Sequence, residues 1–334
     1  MNEQNGSRAP ALADRASPVV AEAVRSGFSE SLHRGRVAVL DANGRPVIRA
    51  GAVESPFFPR SANKPLQAAA MLRCGLDLDG KLLALAAPSH SGEDFHLAGV
   101  REILSGAGLD EGALLCPAAL PLDAAAAQAV VRRAADGADP RQRLYMNCSG
   151  KHAAMLASCV AAGWPAASYT DPQHPLQDAI RELVQRMAAE PVAATGVDGC
   201  GAPLFAVSPL GLARAFRALV TAGPGTPERA VADAMRAYPE WVSGTTRPER
   251  LLMAAVPGLL VKGGAEGVAG FALPDGRAGA VKIDDGAQRA VIPVAVAALR
   301  AIGVTEPLDD LAAVPVTGGD GIAGEIRAIT AGWA

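Results

Sequence analysis

Arg36-Val-Ala-Val-Leu40-Asp-Ala-Asn43-Gly44-Arg-Pro46-Val-Ile48 holds two short apolar runs on either side of an Asn-Gly pair. Asn-Gly accepts the positive φ of a tight hairpin turn, and the flanking runs are rich in β-branched residues. The chain therefore opens its fold with an antiparallel pair. From Ser61 the pattern changes. Leu66, Ala69, Ala70 and Leu72 recur at helical spacing, and Gly75 can end the helix. Helical signals dominate residues 76–250, most clearly at 123–135, 150–162, 175–189, 210–222, 227–238 and 248–255. Two β-like runs, 192–197 and 204–207, interrupt them. Strand signals return at 258–262, 267–273 and 278–283, with a second hairpin turn at Asp275-Gly276, and a long helix follows at 288–302. The reading is an α/β fold with an antiparallel sheet flanked by helices. Residues 18–75 and 256–334 carry the sheet, a mainly helical region is inserted over 76–255, and the active site lies between them.

Half of the 334 residues are hydrophobic, enough for a sizeable core, so disorder is excluded for most of the chain. A formal net charge of −3 leaves no basic excess for phosphates, and 4% aromatics offer few stacking platforms. Nucleic acid is thereby excluded as a partner. No apolar run reaches the roughly 18 residues of a membrane span. Residues 1–17 are polar, lack the hydrophobic segment of a secretion signal and read as a loose arm. Five cysteines (Cys74, Cys116, Cys148, Cys159 and Cys200) are an odd number in a long chain and do not suggest a disulfide framework. A reduced, cytoplasmic protein is the expectation. Lysine is scarce: Lys64, Lys81, Lys151, Lys262 and Lys282 are all there are.

Four constellations, one of them built from two segments, can carry chemistry. Ser61-Ala-Asn-Lys64 sets a hydroxyl and an amine one helical turn apart. A serine attacks only when a base takes its proton, and a lysine kept neutral by burial or nearby charge is such a base. The same pattern suits an ordinary helix start capped by serine. Ser89-His90-Ser91-Gly92-Glu93 follows an apolar run and reads as a loop aimed at a cleft, or as a capping loop. Met146-Asn147-Cys148-Ser149-Gly150-Lys151-His152 and Asp198-Gly199-Cys200-Gly201-Ala202-Pro203 supply two thiols and an amine. Such a set holds zinc, with a fourth position for water, once the lysine gives up its proton. Two unrelated buried cysteines are the plainer alternative. Gly150-Lys-His lacks the rest of a phosphate loop, which leaves nucleotide binding without support. Val261-Lys262-Gly263-Gly264 sets an ammonium at the end of a strand, or makes a simple turn.

Taken in this order, the four constellations resemble the bacterial L-asparaginase II family of the Rhizobium type, the third structural class of asparaginases. The resemblance spans roughly residues 18–329. Members of that family are similar in fold to serine β-lactamases, penicillin-binding proteins and serine-dependent glutaminases. The resemblance implies Ser61 as nucleophile and Lys64 as its base. It implies a second pair of Lys262 with Ser89 or, alternatively, Ser91, and zinc ligation by Cys148, Lys151 and Cys200. Asp198 would orient the last ligand or the substrate. Arg60, Glu93, Asn147 and His152 are candidates for the substrate's charged ends. Lys262-Gly263-Gly264 stands where β-lactamases have Lys-Thr-Gly, and no Ser-Asp-Asn occurs. Both departures weigh against β-lactam chemistry.

The expected reaction is hydrolysis of L-asparagine to L-aspartate and ammonia through an acyl-enzyme, with zinc as cofactor and a homodimer as the implied assembly. In this scheme the charge of Lys262 holds the pKa of Lys64 down. A serine-dependent glutaminase or related amidohydrolase competes, since one methylene is worth only about 1–3 kcal/mol of discrimination. A non-catalytic small-molecule sensor on the same scaffold also competes, as does a Cys148–Cys200 redox switch in place of zinc.

Overall fold

The computed structural model describes residues 17–333. Of the expected N-terminal arm, residues 1–16 lie outside the described residues. Ser17 is buried, and its carbonyl accepts a hydrogen bond from Arg34 Nη1 at 2.9 Å.

Ten strands occur among the described residues: β1 Val19–Arg25, β2 Phe28–Leu40, β3 Pro46–Ala50, β4 Thr195–Val197, β5 Pro203–Phe205, β6 Leu260–Gly264, β7 Val268–Ala272, β8 Ala278–Ile283, β9 Ala313–Gly318 and β10 Gly321–Ala328. Eight of them form one antiparallel sheet in the order β6-β7-β8-β2-β1-β10-β9, with β3 also paired to β2. All eight come from the two ends of the chain. β2 is its spine: residues 28–34 pair with β1, while residues 35–40 pair with β8 and 37–40 also with β3. Gly35 stands where the partner changes. A Cβ there would lie 2.5 Å from the Lys282 carbonyl oxygen, so only glycine lets β8 approach.

Both expected hairpins are present. The turn between β2 and β3 is closed by Gly44 N–H to Asp41 O, and the Asp41 carboxylate accepts from the Asn43 and Arg45 N–H groups. The turn between β7 and β8 places Gly276 at φ +95°.

The middle of the chain is helical: α1 Lys64–Arg73, α2 Gly80–Ala86, α3 Asp94–Gly106, α4 Ala124–Arg133, α5 Ser149–Ala162, α6 Pro175–Ala188, α7 Pro209–Thr221, α8 Pro227–Ala237, α9 Pro239–Val242 and α10 Pro248–Ala255. α11 Val291–Ala301 and α12 Asp309–Ala312 follow the sheet strands. Proline stands in the first turn of α6, α7, α8 and α10, where its missing N–H costs nothing. Ser208 and Thr226 cap α7 and α8 by accepting from the Gly211 and Arg229 N–H groups. No helix among the described residues is long and apolar enough to cross a membrane.

Period-2 alternation builds three layers. Ala38, Leu40, Val268, Ala272 and Ala280 face the helical region across α7, whereas Val37, Val39, Ala269, Phe271 and Val281 face α11. Each fully buried valine, leucine or phenylalanine contributes about 1.5–3 kcal/mol. Gly270 gives its space to the Phe216 ring of α7, which a Cβ would meet at 2.4 Å. The helix expected from Ser61 starts three residues later. Arg60–Asn63 is a 3-10 turn that runs into α1 at Lys64.

Candidate active site

Lys64, Lys151 and Lys262 are each only 1% exposed. A buried ammonium is costly unless it is partnered, so the partners of these three amines define the site. Lys64 opens α1 and turns its side chain inward. Its Nζ donates to Pro88 O at 2.5 Å, Ser89 Oγ at 3.1 Å and Cys148 Sγ at 2.9 Å. Lys262 lies on β6, the edge strand of the sheet. Its Nζ donates to the same Ser89 Oγ at 3.0 Å and to Gly263 O at 2.9 Å. One hydroxyl thus sits between two buried amines. Burial first, and then the Lys64 charge, lower the pKa of Lys262 to about 7. Of the two serines in this segment, Ser89 contacts both amines, whereas Ser91 Oγ donates to Glu93 Oε2 at 2.5 Å.

Ser61 and Ser89 line one pocket of ≈ 380 Å³ together with Asn147, Arg247, Glu249 and Gln288. The Ser61 hydroxyl makes no hydrogen bond among the described residues; Lys64 Nζ reaches Ser89 rather than Ser61. Arg60, just before Ser61, has φ +52°, a strained conformation for a residue with a side chain. Gly264 at the end of β6 presses on this turn. A Cβ there would lie 2.5 Å from Pro59 O, 3.0 Å from Ala62 N and 3.2 Å from Ser61 N. These are backbone atoms that cannot rotate away. Gly264→Ala should destabilise the fold by about 1–3 kcal/mol and displace Ser61. Thermal unfolding and ammonia release measure the two effects, and an unchanged rate would show that this close approach is not needed.

The two cysteine segments meet on the other side of Lys64. Asp198-Gly199-Cys200-Gly201 is the turn of the β4–β5 hairpin, closed by Gly201 N–H to Asp198 O at 2.8 Å. Gly201 takes φ +86° there. The turn delivers Cys200 to Lys151 in the first part of α5, Nζ to Sγ 3.1 Å. The single Cys148 S–H has two acceptors in reach, Asn147 Oδ1 at 2.9 Å and the sulfur of Cys200, with which it hydrogen-bonds. This hydrogen bond and the Lys151 charge hold the Cys200 thiol well below its ordinary pKa, despite burial. Cys148 is pushed the opposite way by the thiolate it serves and by burial. Burial pulls Lys151 down, but the charges of Cys200, Cys148 and Asp198 outweigh it and its pKa is raised. All five cysteines are free. No group of three or more His, Cys, Asp and Glu side chains among the described residues is disposed to hold a metal. The candidate set has two cysteines, and its third donor is an amine.

Asp198 closes the circuit. Its carboxylate lies 3.9 Å from Cys200 Sγ and accepts from Arg60 Nε at 2.8 Å. A continuous string of contacts therefore runs Lys262–Ser89–Lys64–Cys148–Cys200–Asp198–Arg60 and ends beside Ser61.

The sequence matches the L-asparaginase II family over residues 21–328. The chain belongs to that family. No curated protein is similar enough to match it. Among solved structures it is similar to Mglu in its native form, at 15% identity and TM-score 0.44, over 94% of this chain and 72% of that one. A hydrolase with promiscuous acyltransferase activity, EstCE1, is 15% identical at TM-score 0.37, covering 85% and 92%. A beta-lactamase from Mycobacterium bovis is 15% identical at TM-score 0.36, covering 88% and 98%. At these scores the likeness adds nothing to the topology described above.

As a member of the L-asparaginase II family the chain is an amidohydrolase. Several expected residues nevertheless lie apart from the shared pocket of this asparaginase-family chain. Glu93 is spent on Ser91 and on Thr245, whose Oγ1 donates at 2.7 Å. Arg60 and Asp198 pair with each other. His152 is buried with Nδ1 2.6 Å from the Tyr169 hydroxyl. Asn147 does line the pocket. Arg247 and Glu249 were not singled out from the sequence, because Arg247-Pro248-Glu249 reads simply as a helix start.

Proposed function

We propose that the chain hydrolyses the side-chain amide of L-asparagine through an acyl-enzyme on Ser61. The observation that carries this reading is Ser89 Oγ, held at 3.0 and 3.1 Å between two buried amines in the pocket that Ser61 also lines. The Ser61 oxygen bonds to the amide carbon while its proton passes through Ser89 to neutral Lys262. Backbone N–H groups near Ser61 would hold the growing oxyanion. The C–N bond breaks and ammonia leaves with the proton returned along the same path. Water then cleaves the ester and releases L-aspartate. Lys64, with three acceptors around it, supplies fixed positive charge. A second reading makes Ser89 the attacking group, since Ser89 rather than Ser61 hydrogen-bonds both amines. The activity is tested by ammonia release from L-asparagine and L-glutamine side by side. Asparagine is expected to be favoured. Equal or faster glutamine hydrolysis would make this a glutaminase, and binding without ammonia release would make it a sensor.

The clustered sulfurs and amine of Cys148, Cys200 and Lys151 fit a soft tetrahedral cation, and we assign zinc to them. When bound, the metal would supply a fixed charge that ties α5 to the β4–β5 turn and orients substrate. Metal analysis of freshly purified protein should find about one zinc per chain. Cys200→Ala should lose it and melt at lower temperature. Metal-free protein with a Cys148–Cys200 disulfide would point to a redox switch.

A further inference from the structure

We propose that Glu249 binds the α-ammonium of the substrate and Arg247 its α-carboxylate, so that this pair makes the pocket require an amino acid rather than a simple amide. The inference rests on reading this pocket as the substrate site.

Among the described residues that line the pocket, Glu249 is the one acidic side chain and Arg247 the one basic side chain. An amino acid with a neutral side-chain amide carries one charge of each sign, and its ends need one partner each. The two residues are close but do not consume each other. Arg247 Nη2 stands 3.7 Å from Glu249 Oε1, well beyond the 2.7–2.9 Å or so of a closed charge-assisted bond. Arg247 Nε and Glu249 Oε2 are buried and have no hydrogen-bond partner among the described residues. A desolvated charge without a donor is costly, and a substrate ammonium brings three. The neighbouring pair behaves differently: Arg60 and Asp198 meet at 2.8 Å and have less to offer a ligand.

The loop that carries the pair is tied to the segment of Ser89, the hydroxyl between the two buried amines. Thr245 donates to Glu93 through N–H at 3.1 Å and through Oγ1 at 2.7 Å. Ser89 N–H donates to Val242 O at 2.9 Å. Gly244 takes φ +130° and lets this loop pack on Ser91, which a Cβ would strike at 2.3 Å. Glu249 then rests on Gly263 of β6, the residue after Lys262. Two fixed charges and one reacting hydroxyl give three points of attachment, the minimum that distinguishes an L-amino acid from its mirror image.

Glu249 also lies close enough to Lys262 for its charge to act on that amine. A role exercised only through Lys262 would affect every amide substrate alike, and the test separates the two cases. The kcat/KM of wild type and Glu249→Gln is measured on L-asparagine and on succinamate, which keeps the amide and carboxylate but lacks the ammonium. Glu249→Gln should lose roughly 30-fold or more on L-asparagine and change little on succinamate. Equal losses on both overturn the proposal. Arg247→Met should show the mirror pattern with 3-aminopropanamide, which lacks the carboxylate. Calorimetric binding of L-aspartate and succinate gives a readout without turnover. Wild type should prefer L-aspartate, Glu249→Gln should not, and Glu249→Asp should recover part of the preference. Equal binding of the two by wild type overturns the proposal whatever the turnover. A preference that disappears in Glu249→Gln, in a protein that releases no ammonia from L-asparagine, would support this proposal and remove the amide-hydrolase reading.

Discussion

Ser61→Ala should release ammonia from L-asparagine more slowly than wild type by a factor on the order of 10⁴–10⁶, the loss seen when a serine nucleophile is deleted. The Ser61 hydroxyl makes no hydrogen bond among the described residues, so its removal leaves no orphaned partner there and stability should change by less than about 0.5 kcal/mol. Loss of rate without loss of stability is the signature of a reacting atom. Ser89→Ala should differ on both counts. It takes away the oxygen that Lys64 and Lys262 share at 3.1 and 3.0 Å, and leaves two buried amines facing each other. Activity and stability should fall together. Peptide mapping of an acid-quenched reaction locates the acyl group. The ester is expected on Ser61 in wild type and in no peptide of Ser61→Ala. An ester on Ser89 that survives Ser61→Ala would move the nucleophile to Ser89 and make the second reading the mechanism.

The hairpins were legible because their turns depend on local chemistry: Asn43-Gly44 and Asp275-Gly276 need no tertiary context to bend the chain. Helix starts at Pro175, Pro227 and Pro248 were legible for a similar reason. β1, β9 and β10 were not. β9 and β10 are half exposed, and Gly324 serves a close approach to the β1 backbone that only pairing reveals. At the site, spacing made Ser61, Lys64, Cys148, Lys151, Cys200 and Lys262 candidates beside plainer structural readings, only the family resemblance gave them roles, and neither could identify their partners. Ser89 and Ser91 carry the same hydroxyl two residues apart, and only packing against β6 separates them. The string through Cys148 and Asp198 depends on a hairpin turn placing Cys200 beside α5, a contact across 49 residues. Which amine bears the cost of burial was equally invisible. Lys64 has Pro88 O, Ser89 and Cys148 around it, while Lys262 has Ser89 and the carbonyl of Gly263. Burial, with the Lys64 charge beside it, lowers the pKa of Lys262.

That difference sets the expected pH profile. Burial and the Lys64 charge lower the Lys262 pKa from 10.5 to about 7, with Arg247 adding to the depression and Glu249 and Cys148 opposing it. If Lys262 accepts the serine proton, it must be neutral, so kcat/KM should rise with pH through about 7. Lys262→Met should abolish that limb and cost a factor on the order of 10²–10⁴ in rate. Stability should move the other way. In the unfolded chain Lys262 keeps its proton up to its ordinary pKa, while in the folded protein it loses it near 7. Between these values the unfolded state binds more protons, so wild-type stability rises with pH across that window, and below about 7 the full penalty of a buried ammonium remains. Lys262→Met removes the penalty. The variant should resist denaturant better than wild type at pH 6, and the gain should shrink as the pH approaches 10.5. An inactive but stabilised protein is what a buried base held against its own solvation predicts. A variant that keeps the limb near 7 would assign the titration to another group and remove Lys262 from the proton path.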